Sequence, residues 1–251
     1  MSGIRVAIVG ANGRMGRHLC ELTELAPALR LAARIVAPGE TGGITLAELP
    51  PESVDVLVDF SHRAAIAEVA EWVERYGKPW VVGTTGLSAF DEQALADAVK
   101  RAPVFLASNF SIGVALLADL CARAAKVLGV EADVEIVETH HHGKRDAPSG
   151  TALSLGHAVA SARGQELSNV RRDGRVGQVG ERPAGEIGFH AVRLADIVGE
   201  HEVHFGWGCE RLTLKHDARN RQVFAQGALR AAQWLVGQEP GRYGMADLLK
   251  S

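Results

Sequence analysis

The stretch Ile4-Arg5-Val6-Ala7-Ile8-Val9, followed by Gly10-Ala11-Asn12-Gly13-Arg14-Met15-Gly16, decides how this chain folds. Its first six residues are mostly apolar and β-branched, as in a strand buried on both faces. Spaced glycines then open a helical pattern that continues to about Ala26. A strand-to-helix turn of this kind suits a dinucleotide pyrophosphate. Main-chain N–H groups and the helix dipole favour negative charge there, and glycine lets a phosphate approach the backbone. The spacing is G-x-x-G-x-x-G, with Asn12 standing where G-x-G-x-x-G has its second glycine. Asparagine is one of the few other residues that tolerate the left-handed region. A plain tight turn would use the same residues, but this place in the chain favours a nucleotide.

Outward from this stretch, apolar strands alternate with helices. Strands are expected at Leu31 to Val36, Val54 to Phe60, Trp80 to Val82 and Val104 to Ala107, with helices at Ala64 to Tyr76 and Ser88 to Arg101. Such alternation indicates an α/β, doubly wound parallel sheet. Ligands bind at the carboxyl rim of such sheets. Two further turns, Gly83-Thr84-Thr85-Gly86 and Ala107-Ser108-Asn109-Phe110, fall on that rim and are expected to share the cofactor crevice. An acid about twenty residues past the glycine loop would bind the ribose hydroxyls of NAD. Val36-Ala37-Pro38 stands there instead, and the cations Arg14 and Arg34 nearby tilt the expectation slightly to NADP.

After about Asn109 the pattern changes. A helix from Ile112 to Leu128 precedes a strand from Asp133 to Glu138, a polar run from His140 to Pro148 and a helix from Ser149 to about Ala162. The Gly- and Arg-rich segment Gly164 to Gly185 is expected to be a long loop. Strands at Ile187 to Arg193, Ile197 to Phe205 and Arg211 to His216 gather into a mixed or antiparallel sheet, giving an α+β domain. The last helix, Arg219 to Val236, is expected to return to the first domain. The reading is therefore 1–110 plus 219–251 as a dinucleotide-binding domain, with 111–218 as a second, substrate-binding one.

The composition of the 251 residues, 47% hydrophobic and 23% charged, is that of a globular protein. A net charge of −3 argues against nucleic acid. No apolar run approaches the roughly 18 residues that span a bilayer, so no membrane role is expected. Met1 to Arg5 lead straight into a strand, leaving no room for a secretory leader, and a cytoplasmic location is expected. Cys20, Cys121 and Cys209 lie too far apart for a disulfide framework or zinc knuckle and are expected to be buried thiols.

The segment richest in chemistry is Glu138-Thr139-His140-His141-His142-Gly143-Lys144-Arg145-Asp146-Ala147-Pro148-Ser149-Gly150-Thr151. A metal site is disfavoured, because successive side chains of an extended segment diverge and Lys144 and Arg145 repel cations. A solvated polar loop is the plain alternative. The favoured reading is proton transfer and anion binding. Histidine titrates near neutral pH, and lysine donates when neighbours lower its pKa. Ser149 suits a helix N-cap, and the N–H groups of Gly150 and Thr151 at that helix start would receive a carboxylate.

The same segment closely resembles the signature of the dihydrodipicolinate (4-hydroxy-tetrahydrodipicolinate) reductases of lysine and diaminopimelate biosynthesis. Their motif E-x-H-H-x-x-K-x-D-A-P-S-G-T-A is matched without a break from Glu138 to Ala152. The resemblance extends to the glycine loop, the G-T-T-G turn, Asn109-Phe110, Gly188-Phe189 and the run Asp196 to His201, and so spans nearly the whole chain. It implies a Rossmann-like cofactor domain and a second domain that binds a small dicarboxylate substrate and assembles a homotetramer. It also implies NADPH or NADH as hydride source. By matching position, His140 resembles the catalytic proton donor and acceptor, and Lys144 a proton donor. His141, Gly150 and Thr151 resemble substrate-binding positions. Gly10, Ala11, Asn12, Gly13, Arg14 and Met15, with Gly83, Thr84 and Thr85, and Ala107, Ser108, Asn109 and Phe110, resemble cofactor contacts; no metal is implied. The chain departs from the family at Val36-Ala37, where an acid and often a base are usual. Hydride and proton would come from different domains, so the second is expected to close on the nucleotide. Two rivals remain. An amino-acid dehydrogenase would explain the glycine loop but not the His-Lys-Ser-Gly-Thr run. A nucleotide sensor without catalysis would need no proton donor.

Overall fold

The computed structural model describes residues 3–250. The chain forms two compact units, one of residues up to Ile112 together with Gln222 onward, the other Gly113–Arg221. The first unit begins with β1 (Ile4–Val9), α1 (Arg14–Leu25), β2 (Leu29–Ile35), β3 (Val56–Asp59), α2 (Ile66–Tyr76), β4 (Trp80–Val82), α3 (Ala89–Ala98) and β5 (Pro103–Leu106). Next come α4 (Ile112–Leu128), β6 (Asp133–His140), α5 (Gly150–Ala162), α6 (Leu167–Val170), β7 (Arg171–Asp173), β8 (Ile187–Arg193), β9 (Gly199–Trp207) and β10 (Glu210–Ala218). The chain then re-enters the first unit as α7 (Gln222–Leu235), β11 (Gly241–Tyr243) and α8 (Met245–Leu248).

The first sheet is six-stranded in the order β11-β5-β4-β3-β1-β2, and every pair is parallel. It is the Rossmann-like, doubly wound sheet. Period-two alternation sorts each strand between two cores. Val6, Ile8, Val58, Val81 and Phe105 face α1 and α7, whereas Ala7, Val9, Leu57, Val82 and Val104 face α2 and α3. Both faces being covered explains why these strands read as unbroken apolar runs. The final strand was not foreseen: Gly241-Arg242-Tyr243 is three residues with no apolar run, and pairing with β5 alone makes it a strand.

β1 lies between β2 and β3, so the winding direction reverses beside the glycine loop. Gly10 turns the chain there with φ 78°, and Gly13 N–H donates to Gly10 O at 2.9 Å. Asn12 does not take the left-handed conformation; Ala195 is the single non-glycine residue with positive φ among the described residues. The turn makes its sharp reversal at Gly10, which releases the Asn12 amide to donate to Glu40 Oε2 at 2.9 Å and Thr41 O at 3.1 Å. Gly16 serves a different purpose. A Cβ at this position would overlap Gly10 O and lie 2.8 Å from Ala11 Cα, so glycine lets α1 start tight against the loop.

The second unit holds a mixed sheet, β10-β9-β6-β8-β7, in which β6 runs antiparallel to β9 and parallel to β8. Val134, Ile136, Ile187, Phe189, Val203 and Phe205 pack under α4 and α5. Strand β6 runs two residues beyond the expected Glu138, so His140 is its last residue. The Gly- and Arg-rich segment is not wholly loop: it contains α6 and β7, the latter pairing with β8 at the sheet edge. Arg182 and Arg175 pin the rest of that segment to Glu135 at 3.1 and 2.8 Å. Cys20 and Cys121 are buried but Cys209 is exposed, because it sits in the β9–β10 turn with no core beneath it.

Gly16→Ala should destabilise the first unit by about 1–3 kcal/mol, the usual cost of overpacking, because the obstruction is backbone. Gly206→Ala, where an added Cβ meets nothing within 4 Å, is the control and should stay within about 0.5 kcal/mol. Urea denaturation midpoints of the two variants check this, and equal midpoints would refute the role given to Gly16.

Candidate active site

In the first unit, two cavities open at the carboxyl rim where the winding reverses. One, of about 470 Å³, is lined by Gly10, Asn12, Gly13, Glu40 and His62, with Phe60 and Ser61 at one side. The other, of about 560 Å³, is lined by Met15, Gly83, Thr84 and Thr85, and shares Phe60, Ser61 and His62. Gly13 is the N-cap of α1, and no side chain caps that helix start. Its N–H groups and the tight glycine turn form an anion cradle fitting a pyrophosphate, and the paired cavities suit a two-part nucleotide.

Not every expected cofactor residue lines these cavities. Ala11 is fully buried beneath the loop, its N–H donating to Ile35 O at 3.1 Å. Arg14 is exposed, and neither it nor Arg34 lines the first cavity. Ala107, Ser108, Asn109 and Phe110 line neither cavity. Instead, Ala107 N–H donates to Val82 O at 3.2 Å, and Asn109 Oδ1 accepts from Ser111 N–H at 2.8 Å. The Phe110 ring lies 5.3 Å from that of Phe60 and so backs the cavity wall.

Asp59, Phe60 and Ser61 were missed by the sequence reading. Asp59 is fully buried, and its Oδ1 accepts from Ser61 N–H at 2.9 Å and Ser61 Oγ–H at 2.6 Å. Burial pushes its carboxyl above the ordinary range despite these bonds. Thr84 Oγ–H then donates to Ser61 O at 3.3 Å, joining the two loops of the second cavity.

The second unit carries the polar cluster. Glu138, His140 and His201 project on the helix-covered side of the sheet, in line with Val134, Ile136 and Val203. The apolar stripe thus turns polar at the end where α5 begins. Glu138 is 1% exposed, and its carboxylate is the hub. His140 Nδ1–H donates to Oε2 at 2.6 Å, Arg193 donates to both oxygens at 2.8 and 2.9 Å, and Ser149 N–H donates to Oε1 at 3.1 Å. Ser149 caps α5 through Ala152 N–H at 3.1 Å, and its Oγ lies 3.0 Å from His201 Nε2. The His140 and His201 rings meet edge to face with centroids 5.1 Å apart.

Burial alone raises the Glu138 carboxyl, but hydrogen bonds from Arg193 and His140 outweigh it and hold Glu138 below the usual carboxylate range. Burial lowers His140, with Glu138 opposing and the charges of Lys144 and Arg193 adding to the fall. Burial pushes His201 down to about 4, assisted by His140. With Nδ1–H committed to Glu138, the neutral His140 presents Nε2 as the nitrogen that takes or gives a proton.

Of the remaining sequence candidates, Lys144 is partly buried with Nζ donating to Asp146 Oδ1 at 2.8 Å. Arg221 donates to His141 Nε2 at 3.2 Å. His142 turns to Ala195 O at 2.8 Å. Gly150 and Thr151 form the first turn of α5, next to the buried Ser149. Among the described residues no group of three or more His, Cys, Asp or Glu is arranged to hold a metal. Arg193 and His201 were not singled out, since strand pairing from 55 and 63 positions away brings them to Glu138. The one local hint was an arginine at the end of a largely apolar strand.

Comparison with known proteins agrees over the whole length. A family model described as dihydrodipicolinate reductase, N-terminus, matches residues 4–110, and its C-terminus counterpart matches residues 113–249. A 4-hydroxy-tetrahydrodipicolinate reductase of Acidiphilium cryptum (strain JF-5) is 47% identical over 247 residues, 98% of this chain and 97% of its own. One of Pseudomonas fluorescens (strain SBW25) is 44% identical over 263 residues, 98% of each chain. A dipicolinate-bound dihydrodipicolinate reductase from Paenisporosarcina sp. TG-14 superposes with a TM-score of 0.78 at 26% identity, covering 98% of this chain and 99% of that one. The C. glutamicum DAP dehydrogenase in complex with DAP, at 14% identity and TM-score 0.57, shares the fold.

The low pKa of His201 makes stability pH-dependent. The folded chain holds this ring neutral down to about 4, whereas the unfolded one protonates near 6.5. The stabilisation is therefore complete above pH ~6.5 and is lost as pH falls from there to ~4, amounting to about 3 kcal/mol. Denaturant titrations across that window should show His201→Gln losing less stability than the parent by roughly that amount. Parallel losses would disprove it.

Proposed function

This chain belongs to the dihydrodipicolinate reductase family, and from that membership we propose how its own residues divide the work. It is an NAD(P)H-dependent oxidoreductase that reduces 4-hydroxy-tetrahydrodipicolinate to tetrahydrodipicolinate, a step of lysine and diaminopimelate biosynthesis. Replacing the 4-hydroxyl by hydrogen, with water leaving, takes one hydride and one proton. The bound nicotinamide supplies the hydride.

In this reading, Gly10, Ala11, Asn12, Gly13, Arg14 and Met15 form the pyrophosphate turn. Gly83, Thr84 and Thr85 hold the nicotinamide end, with Ala107 to Phe110 supporting them. His141, Gly150 and Thr151 receive the carboxylates of the substrate, the last two through the helix start. Of the two candidate donors, His140 and Lys144, His140 supplies the one proton. The observation that carries this assignment is the 2.6 Å bond from His140 Nδ1–H to the buried Glu138, which commits Nε2 to proton transfer. His140 is neutral before substrate arrives because burial lowers it. A dianionic substrate beside the ring favours the imidazolium, so binding itself loads Nε2 with the proton. Glu138 remains anionic and stabilises that charge. The positive groups also stabilise negative charge that develops on the substrate carboxylates and ring during reduction, without reorganising.

We also infer assembly as a homotetramer in the cytoplasm. Family membership and the outward apolar side chains of the second unit, Leu116, Leu120, Val127 and Val176, support assembly. No helix among the described residues is long and apolar enough to cross a membrane.

With 4-hydroxy-tetrahydrodipicolinate generated in situ and nucleotide oxidation followed by absorbance, His140→Gln should lower kcat by about 10²–10⁴ with KM little changed. An unchanged kcat would remove His140 from proton transfer. Light scattering should give about four times the 26.7 kDa chain mass; a monomer or dimer mass would refute the tetramer.

A further inference from the structure

We propose that Glu40, clamped by Asn12, is the ribose-binding residue of this chain and makes NADH its preferred reductant. The proposal rests on the cofactor reading above and narrows it to one nucleotide.

In doubly wound sheets, an acid just after the second strand accepts hydrogen bonds from the adenosine 2′- and 3′-hydroxyls, whereas a 2′-phosphate needs a cation. Here β2 ends at Ile35 and runs into Val36-Ala37-Pro38, with no acid. The backbone supplies one by another route. Glu40 N–H donates to Ala37 O at 3.0 Å, closing a four-residue turn around Pro38 and Gly39. Gly39 has φ 86°, as the third position of a type II turn requires, and proline suits the second. This reversal carries the Glu40 side chain back to the glycine loop. There Asn12 Nδ2–H donates to Oε2 at 2.9 Å and to Thr41 O at 3.1 Å, fixing both the carboxylate and its backbone. Oε1 has no hydrogen-bond partner among the described residues, and Glu40 lines the same cavity as Gly10 and Gly13. A carboxylate oriented through one oxygen leaves the other for a ribose hydroxyl.

The charges around the cavity agree. Its lining holds Glu40 and Glu68 but no lysine or arginine. Arg34, a cation the sequence offered for a 2′-phosphate, has its Nε buried and acts on Cys20 of α1, across the sheet from α2. Arg14 is exposed on the first turn of α1 and outside the lining. His62 is the one basic residue in this lining, and its Nδ1 accepts from Ala64 N–H at 3.2 Å, while Arg63 lines the adjoining cavity and lies 3.5 Å from Asp91 Oδ2. A 2′-phosphate would therefore enter beside carboxylates without a fixed cation.

Isothermal titration of the purified full chain with NADH and NADPH, at one ionic strength and without substrate, tests this. The parent should bind NADH at least about tenfold more tightly, the worth of hydrogen bonds to a charged group. Glu40→Gln should lose about tenfold in NADH affinity and little or none in NADPH affinity. Glu40→Arg should reverse the preference. Because Glu40 lies on an exposed turn, melting temperatures should match the parent and exclude misfolding. Tighter NADPH binding by the parent, or equal loss of both nucleotides in Glu40→Gln, overturns the role of Glu40 while leaving the reductase assignment standing. Binding of neither nucleotide would overturn the cofactor reading as well.

Discussion

A carboxylate withdrawn from water must be surrounded by donors, and the second unit is organised around that requirement at Glu138. Four hydrogen bonds reach this side chain, from the strand it lies on, from the neighbouring strand β8 and from the residue that caps α5. Removing one donor would leave a buried charge short of partners, which is far more costly than the bond itself is stabilising. The demand therefore fixes three elements at once. It sets the His140 ring, holds Arg193 beside it, and anchors Ser149 so that α5 starts next to the histidines. His140 Nε2 and the helix start owe their placement to the same buried charge.

The first unit meets a related demand differently. Asp59 is as deeply buried as Glu138, but the hydrogen bonds to it come from neutral groups, chiefly Ser61. Burial wins and its carboxyl rises, whereas Arg193 and His140 hold Glu138 down. The contrast follows the work each does. Asp59 shapes the Phe60-Ser61 turn by accepting hydrogen bonds from Ser61. Glu138 must stay anionic to keep the proton of His140 on Nδ1.

How much of this could be read from the residues in order depended on whether the signal was local. The strand Ile4–Val9, the glycine turn and the Ser149 cap are written within a few positions, and each appears in the structure. What failed was long-range. Arg193 meets Glu138 only because β8 pairs with β6, and β11 exists only because β5 offers an edge. Asn12 shows a subtler failure. Its residue type matched the left-handed slot a glycine would fill, yet Gly10 takes the strained position and Asn12 is used for its amide. The missing acid after β2 follows from the same limit. A fixed offset from the glycine loop passes over Glu40, although Pro38-Gly39 is a strong turn signal just before it.

The two units also differ in what each can absorb by substitution. The glycine turn presents main-chain N–H groups at the end of β1, and Arg14 is exposed beside it, so a substitution at Arg14 leaves the turn undisturbed. In the proposed reading, selectivity for one nucleotide rests on a short turn, Ala37 to Glu40, tied down through the Asn12 amide. The polar cluster around Glu138 has no such freedom. Its groups are side chains on paired strands in fixed register, and Gly199 is held small because a Cβ there would sit 3.0 Å from His140 Nε2. A turn can be exchanged without moving the sheet that carries it. A register cannot, because a slip of one residue would turn Glu138 and His140 together to the opposite face.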